Sequence, residues 1–410
     1  MKCRHCGELL SETLIDLGSA PPSNAYLTAA TLKHPETWFP LTVLVCSRCR
    51  LAQTEDFSRA DELFDADYAY FSGFSASWLA HCERYADEMI ARFDLDASSS
   101  VIEVAANDGS LLGFFHDKGI RSLGVEPTTS TAAAARVRGL DIVEAFFGVA
   151  LAQSLVSSGV RADLIAANNV LAHVPEINDF VAGFAILLAE QGVATFEFPH
   201  LLNLVRQRQF DTIYHEHYSY LSLIAVDHLF EANGLRVFDV QLLPTHGGSL
   251  RVFAQRADSG AHAVSYEVAR VRAMEIEAGM DRPEFYRQFQ SAAEDVKDTF
   301  LTFLLEARRA GKTVAAYGAA AKGNTLLNFA GVRPDLLSFV VDRNPHKQGK
   351  FLPGSRIPIL AEQALREARP DYLVLLPWNL REELAVQLSY IGEWGGRFVI
   401  AIPSLKVFDA

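Results

Sequence analysis

Apolar residues along this chain fall in short blocks separated by turn residues and by stretches with helical spacing. Val101-Ile-Glu-Val104, Ser122-Leu-Gly-Val125 and Ala162-Asp-Leu-Ile-Ala-Ala167 lie roughly one helix apart. Each runs into polar chemistry: Asn107-Asp108-Gly109, Glu126-Pro127 and Asn168-Asn169 respectively. Brief apolar runs alternating with helices predict parallel strands joined by crossovers, with ligands at the carboxyl ends of the strands. A fifth strand is expected at Phe196-Glu-Phe-Pro199. A second set begins at Lys312-Thr-Val-Ala-Ala-Tyr317, ends one strand at Asp342, and continues through Asp371-Tyr-Leu-Val-Leu-Leu376 and Arg397-Phe-Val-Ile-Ala-Ile402. Residues 265–310 between the two sets read as helices with charged faces.

At 410 residues the chain is too long for one small core, and the pattern divides it into three regions. Residues 1–65 form a small N-terminal domain, 66–255 the first α/β domain, and 256–410 a helical linker with a second, Rossmann-like α/β domain. Half the residues are apolar and 50 acidic residues outweigh 37 basic ones, giving a net charge of −13 with no basic block. That balance argues against duplex nucleic acid as a partner. No apolar run approaches the ~18 residues of a membrane span and the start lacks an apolar leader, so the expectation is a cytoplasmic, soluble protein with no membrane partner.

Four of the five cysteines stand as Cys3-x-x-Cys6 and Cys46-x-x-Cys49. In a reducing compartment such pairs point to metal, and four thiolates give the closed tetrahedral site of structural zinc. Gly7 suits the tight turn after Cys6, and the long interval before Cys46, with Pro21, Pro22, Pro35 and Pro40, reads as a loop-rich insertion. Cys82 lacks a partner in this pattern and reads as a buried small hydrophobe.

The loop after the first strand bears on the ligand. A pyrophosphate calls for several glycines, whereas here Gly109 is the one glycine and Glu103 stands close by. A carboxylate there repels phosphate and suits a cationic ligand without phosphates, such as S-adenosylmethionine. Glu126, ending the second strand, offers two oxygens to the hydroxyls of a ribose.

Between residues 211 and 220 nearly every side chain can donate or accept a proton: Asp211, Thr212, Tyr214, His215, Glu216, His217, Tyr218, Ser219 and Tyr220. Such density is costly to bury unless each group is partnered. The histidines are two apart, which does not match the helical zinc pair H-E-x-x-H. The segment reads as a proton-transfer site with an imidazole as base and a phenol and carboxylate beside it.

In the second α/β set, Gly318-x-Ala320-x-x-Gly323 approximates a dinucleotide fingerprint, with Lys322 as a local positive charge and Asp342 about twenty residues on. The following Arg343-Asn344-Pro-His346-Lys347-Gln-Gly349-Lys350 concentrates positive charge in an acidic chain and reads as a clamp on a diphosphate. Taken alone, this half leaves open a different function, an NAD-dependent oxidoreductase or epimerase of nucleotide sugars.

The first α/β unit resembles the class I methyltransferase fold. Over nearly the whole chain, the ordered motifs E-V-A-x-N-D-G, N-N-V-x-A-H-V, Y-H-E-H-Y-S-Y, Y-G-A-x-A-K-G-N-T and V-D-R-N-P-x-K-Q-G resemble the nucleotide-sugar C-methyltransferases of deoxysugar biosynthesis. The resemblance implies a zinc domain, a cofactor domain and a C-terminal domain that helps hold the substrate. It implies S-adenosylmethionine as methyl donor, held by Glu103 and Glu126 with Asn107, Gly109, Asn168, Asn169 and Tyr68. The substrate class implied is a thymidine-diphosphate 4-keto-deoxysugar, methylated at C3 or C5, with Lys322, Asn324, Asp342, Asn344 and Lys347 toward the nucleotide. The catalytic element falls on Tyr214, Glu216 and His217, with His217 as base, Glu216 orienting it and Tyr214 donating to the enolate, and with His173 facing the methyl-transfer site. Neither the oligomeric state nor the stereochemistry follows from these motifs.

Overall fold

The computed structural model describes residues 1–57, 73 and 76–410. The chain falls into two compact units built from non-consecutive stretches. One comprises Met1–Leu10, Cys46–His200 and Tyr218–Asp281, the other Ser11–Val45, Leu201–His217 and Arg282–Ala410.

The first unit is organised around seven strands: Ser100–Val104 (β1), Arg121–Val125 (β2), Ile142–Val143 (β3), Ala162–Asn168 (β4), Leu188–Pro199 (β5), Leu235–Leu243 (β6) and Ser249–Arg256 (β7). They lie in the order β6-β7-β5-β4-β1-β2-β3. β1 to β5 are parallel, and β7 runs antiparallel to both β5 and β6. All five residues of β1 are buried, as expected of a central strand covered on both faces. The pleat sorts them: Val101 packs with Leu164, Ala166, Phe253 and the Tyr85 and Met89 side chains of helix α1 (Ala76–Phe93). Ile102 and Val104 face the other way, with Ile165, Ala167, Phe196 and Phe198. Strand order reverses beside β1, which opens a crevice at the carboxyl ends of β1 and β4. Helices α2 (Leu223–Ala232) and α3 (Tyr266–Glu277) belong to the same unit. Cys82 is buried here, as expected.

The second unit holds β8 (Val314–Tyr317), β9 (Val340–Val341), β10 (Ile359–Leu360), β11 (Tyr372–Leu375), β12 (Arg397–Ile400) and β13 (Lys406–Asp409), in the order β10-β9-β8-β11-β12-β13. All are parallel except β13. Helices α4 (Phe289–Arg309) and α5 (Ala321–Phe329) flank β8 in sequence. The stretch expected to be loop-rich contributes an antiparallel hairpin, Glu12–Ala20 against Phe39–Val45, with irregular register between Asp16 and Ser19. Its prolines stand in the connecting loop or at the strand margin, where the missing N–H is tolerated. Among the described residues no helix is long and apolar enough to cross a membrane.

Candidate active site

The four cysteines converge. Cys3 and Cys49 sulfurs lie 3.6 Å apart and those of Cys6 and Cys46 3.5 Å, and all four fall within 4.8 Å of one another. A tetrahedron with ~2.3 Å zinc–sulfur bonds has sulfurs about 3.8 Å apart, so the set fits zinc and leaves no ligand position open. Each pair sits on the same knuckle. Gly7 N–H donates to Cys3 O and Arg50 N–H to Cys46 O, both at 3.0 Å, and both closing residues are left-handed, with φ of 74° and 61°. Glycine signalled the first knuckle; nothing about Arg50 signals the second.

The cofactor crevice is built on the β1 loop. Ala105, Asn107 and Gly109 have φ of 59°, 51° and 71°, so the backbone keeps the alternating left-handed conformation that glycines adopt freely, at about 1 kcal/mol for each non-glycine. At Gly109 packing forbids a side chain as well: a Cβ would stand 2.2 Å from Leu140 Cδ1. Glu126 accepts from the Asn107 and Thr128 amides, each at 2.9 Å, which ties the tip of β2 to the β1 loop. Glu103 accepts from the Leu112 amide at 2.9 Å. Burial pushes its carboxyl well above the usual range, and the nearby charges of Asp108 and Glu126 push the same way. Three buried carboxylates around one loop favour a cation. On β4, both side-chain atoms of Asn168 and the Oδ1 of Asn169 are buried without a partner among the described residues. Polar groups left so at the carboxyl edge of a doubly wound sheet fit a polar ligand. These residues would hold S-adenosylmethionine through its ammonium, ribose and adenine. Tyr68 lies outside the described residues. His173 closes the turn Leu171–His173 after β4 and is half-buried.

One cluster at this edge escaped the sequence reading. Glu197, the register partner of Asn168, is fully buried. It accepts from Arg251 (3.0 Å) and Thr245 (3.0 Å) and pairs with His81 Nε2 at 2.9 Å. Burial opposes its ionisation, but the His81 hydrogen bond and the charges of His81 and Arg251 hold the carboxyl below its usual value. These residues are far apart in sequence and share no spacing.

In the second unit, the segment ending at His217 is held tightly. His217 Nδ1 bonds the Thr212 carbonyl at 2.8 Å. A carbonyl can only accept, so Nδ1 carries the proton and Nε2 is the lone-pair nitrogen of the neutral ring. The Tyr214 ring lies against this imidazole, centroids 4.0 Å apart, and both side chains are half-buried. The Glu216 carboxylate is buried and accepts from Asn24 Nδ2 through both oxygens, at 2.7 and 2.9 Å. Burial raises it to about 7, against the opposing pull of Asn24 and Lys347. His215 bonds the Pro40 carbonyl, and burial lowers its imidazole below the usual value.

The loop after β8 is engaged by the chain itself. The Ala319 amide donates to Asp342 at 2.7 Å, while its carbonyl accepts from Lys347 Nζ (2.9 Å) and from the Tyr26 hydroxyl (2.6 Å). Asp342 also accepts from the Asn344 amide at 2.8 Å. Asp342 thus ties loop to strand as Glu126 does in the first unit. A Cβ at Gly318 would lie 2.5 Å from Pro377, and one at Gly323 2.7 Å from Leu376, so these glycines serve close packing. Asn324 turns inward, its Nδ2 donating to Ser23 O at 2.6 Å. The Lys322 ammonium lies 5.0 Å from the Trp378 ring centre and donates to Asn379 at 3.3 Å. A dinucleotide fingerprint with its glycines packed and its tip peptide occupied gives the NAD-dependent alternative no support.

Comparison with known proteins accounts for most of the chain. Family models match residues 3–64 as a zinc binding domain, 78–240 as a methyltransferase domain and 244–403 as a C-methyltransferase C-terminal domain. The C-methyltransferase NovU of Streptomyces niveus is 36% identical over 409 residues, covering 100% of this chain and 97% of that protein. Among solved structures, the magnesium protoporphyrin IX methyltransferase of Synechocystis with bound SAM is 15% identical, with a TM-score of 0.36 over 50% of this chain and 100% of its own. The 1,6-didemethyltoxoflavin-N1-methyltransferase of Burkholderia thailandensis is 18% identical, with a TM-score of 0.34 over 51% of this chain and 95% of its own.

Proposed function

The chain belongs to the S-adenosylmethionine-dependent C-methyltransferases with an N-terminal zinc domain, and from that premise we propose that it methylates the carbon beside the ketone of a thymidine-diphosphate-linked 4-keto-deoxysugar, at C3. Bound S-adenosylmethionine supplies an electrophilic methyl group on a sulfonium. Carbon, unlike oxygen or nitrogen, has no lone pair to meet it. A base must first take the proton α to the ketone, leaving the electron pair shared between carbon and the carbonyl oxygen.

His217 is that base, and the observation that carries this reading is its Nδ1 bond to the Thr212 carbonyl, which puts the ring proton on Nδ1 and makes Nε2 the basic nitrogen. Tyr214, its ring tilted against the imidazole, has a hydroxyl able to donate to the developing enolate oxygen, a contribution of ~2.7–4 kcal/mol for one well-placed donor. Glu216, held by Asn24 through both oxygens, fixes the segment that orients the imidazole. His173 contributes a second imidazole on the methyl-transfer side. Lys347 and Asn344 bring positive charge and a polar edge to the diphosphate. Asp342 ties the loop after β8 to the strand that precedes these two residues, and Lys322 and Asn324 complete the substrate side of that loop.

The test is exchange and transfer measured separately. Wild type in D₂O should wash deuterium into the acceptor carbon and, with donor present, yield a product heavier by one methyl group. His217→Ala should lower both by the ~10²–10⁴ that a positioned base contributes, with donor affinity unchanged within a few-fold. Exchange at the wild-type rate in that variant removes His217 from the role, and a panel of keto-sugars that all stay unmethylated removes the substrate class.

A further inference from the structure

Two groups beneath the His217 segment have no part in the chemistry above: the carboxylate of Asp211 and the indole of Trp378. Asp211 stands on the turn Phe210–Thr212 and is 1% exposed. Its Oδ2 accepts from Trp378 Nε1 at 2.7 Å. Its Oδ1 is buried with no partner among the described residues. Lys322 is the cation over the same indole, and its charge acts on Asp211. Burial pushes Asp211 up to about 6, against the Lys322 charge and the Trp378 bond, and burial likewise pulls the Lys322 ammonium down. A carboxylate so placed would be a poor choice for packing alone, since an apolar residue fills a core without desolvation cost.

What this group holds is the turn that presents His217. The turn is closed by Thr212 N–H to Gln209 O (3.1 Å) and Ile213 N–H to Phe210 O (3.0 Å). From α5, Thr325 Oγ1 donates to Ile213 O at 2.8 Å and the Phe329 ring meets Phe210, centroids 5.4 Å apart. Asp211 is the polar anchor on the remaining side, and the next residue supplies the carbonyl that binds His217 Nδ1.

We propose that Asp211, bonded by Trp378, is a positioning residue for the base: it fixes the Thr212 carbonyl and through it the tautomer and aim of the His217 imidazole. The proposal rests on His217 being the base. A carbonyl accepting from Nδ1–H strengthens as the ring becomes imidazolium, so it raises the proton affinity of Nε2. Loosening the turn should weaken that bond. Tyr214 is a titratable side chain whose ring lies against the imidazole, and the Lys322 charge acts on Asp211, so neither is altered in the test.

Trp378→Phe removes the donor and keeps an aromatic ring; Asp211→Asn keeps an acceptor and removes the charge. In the full-length enzyme, each should lower kcat and the acceptor-carbon exchange rate about tenfold, with KM for S-adenosylmethionine within twofold. Each should also move the acid limb of the kcat profile to lower pH. A purely structural role would scale activity with the folded fraction and leave that limb in place, and this outcome in both variants overturns the proposal. Exchange that survives His217→Ala overturns the base assignment and this proposal with it. Loss of exchange in His217→Ala together with unmoved limbs in the other two overturns the positioning role alone.

Discussion

Glu216 has an ordinary carboxyl in sequence and an extraordinary one in place. Burial raises it to about 7, so the folded protein holds a proton there that the unfolded chain has already lost near pH 4.5. Between about pH 4.5 and 7 the native state binds more protons than the unfolded state, and stability contributed here falls as pH rises through that window. Glu216→Gln removes the ionisation while leaving a side chain of the same shape. At pH 8 the variant should be more stable than wild type, by on the order of 2–3 kcal/mol, and the gain should vanish near pH 5. Thermal melts across that range measure it, and a gain independent of pH would show that ionisation is not the cause. Activity should fall in the same variant, because such a site is functional at the expense of stability. The residue types needed for proton transfer were legible in the run from Tyr214 to His217. Which partner each one takes was not: Asn24 lies 192 positions from Glu216, and nothing in the local pattern links them.

Among the elements, short α2 depends on a partner from another helix. Glu275 of α3 accepts from the Leu223 and Ile224 amides at 2.7 and 2.9 Å and meets His200 Nε2 at 2.7 Å. The pair is fully buried. Ser222 adds the N-cap bond to the Ala225 amide. One carboxylate thus serves two orphan N–H groups at the helix start and the imidazole just beyond β5. Glu275→Ala should therefore cost ~3–5 kcal/mol, the range for breaking a buried pair and stranding its partners. Glu275→Gln should cost less, since it still accepts from an amide. Urea unfolding would check both, and equal losses would mean that packing of the side chain outweighs its charge. The strands and helices themselves were readable because burial on two faces writes short, mostly apolar blocks such as Val101-Ile-Glu-Val104. The hairpin at Glu12–Ala20 was less so, since its burial alternates imperfectly and its register is interrupted. The left-handed Ala105 was hidden because alanine does not advertise a positive φ, whereas Asn107 is of a type that tolerates one.

At the scale of the whole molecule, periodicity reads stretches in order, yet compaction takes them out of order. Ser11–Val45 and Leu201–His217 gather with Arg282–Ala410, while Met1–Leu10 gathers with Cys46–His200. The first ten residues thus reach their unit by closing a loop over the intervening hairpin, and Cys3, Cys6, Cys46 and Cys49 are where that loop is closed. A closure over some forty residues restricts the unfolded chain by about 4 kcal/mol on chain-entropy reasoning, and the metal's binding free energy adds to it. The coordination is complete in sulfur, so zinc does not touch the reacting atoms and its removal should separate stability from chemistry. A chelator with reductant should strip one zinc per chain and lower the melting temperature by at least about 5 °C. Methyl transfer measured well below that temperature should persist in the fraction that remains folded. Cys46→Ser should reproduce the loss of stability without chelator. Full metal removal with an unshifted melt would assign the cysteines some other task, and immediate loss of turnover in still-folded protein would bring the zinc into the chemistry after all.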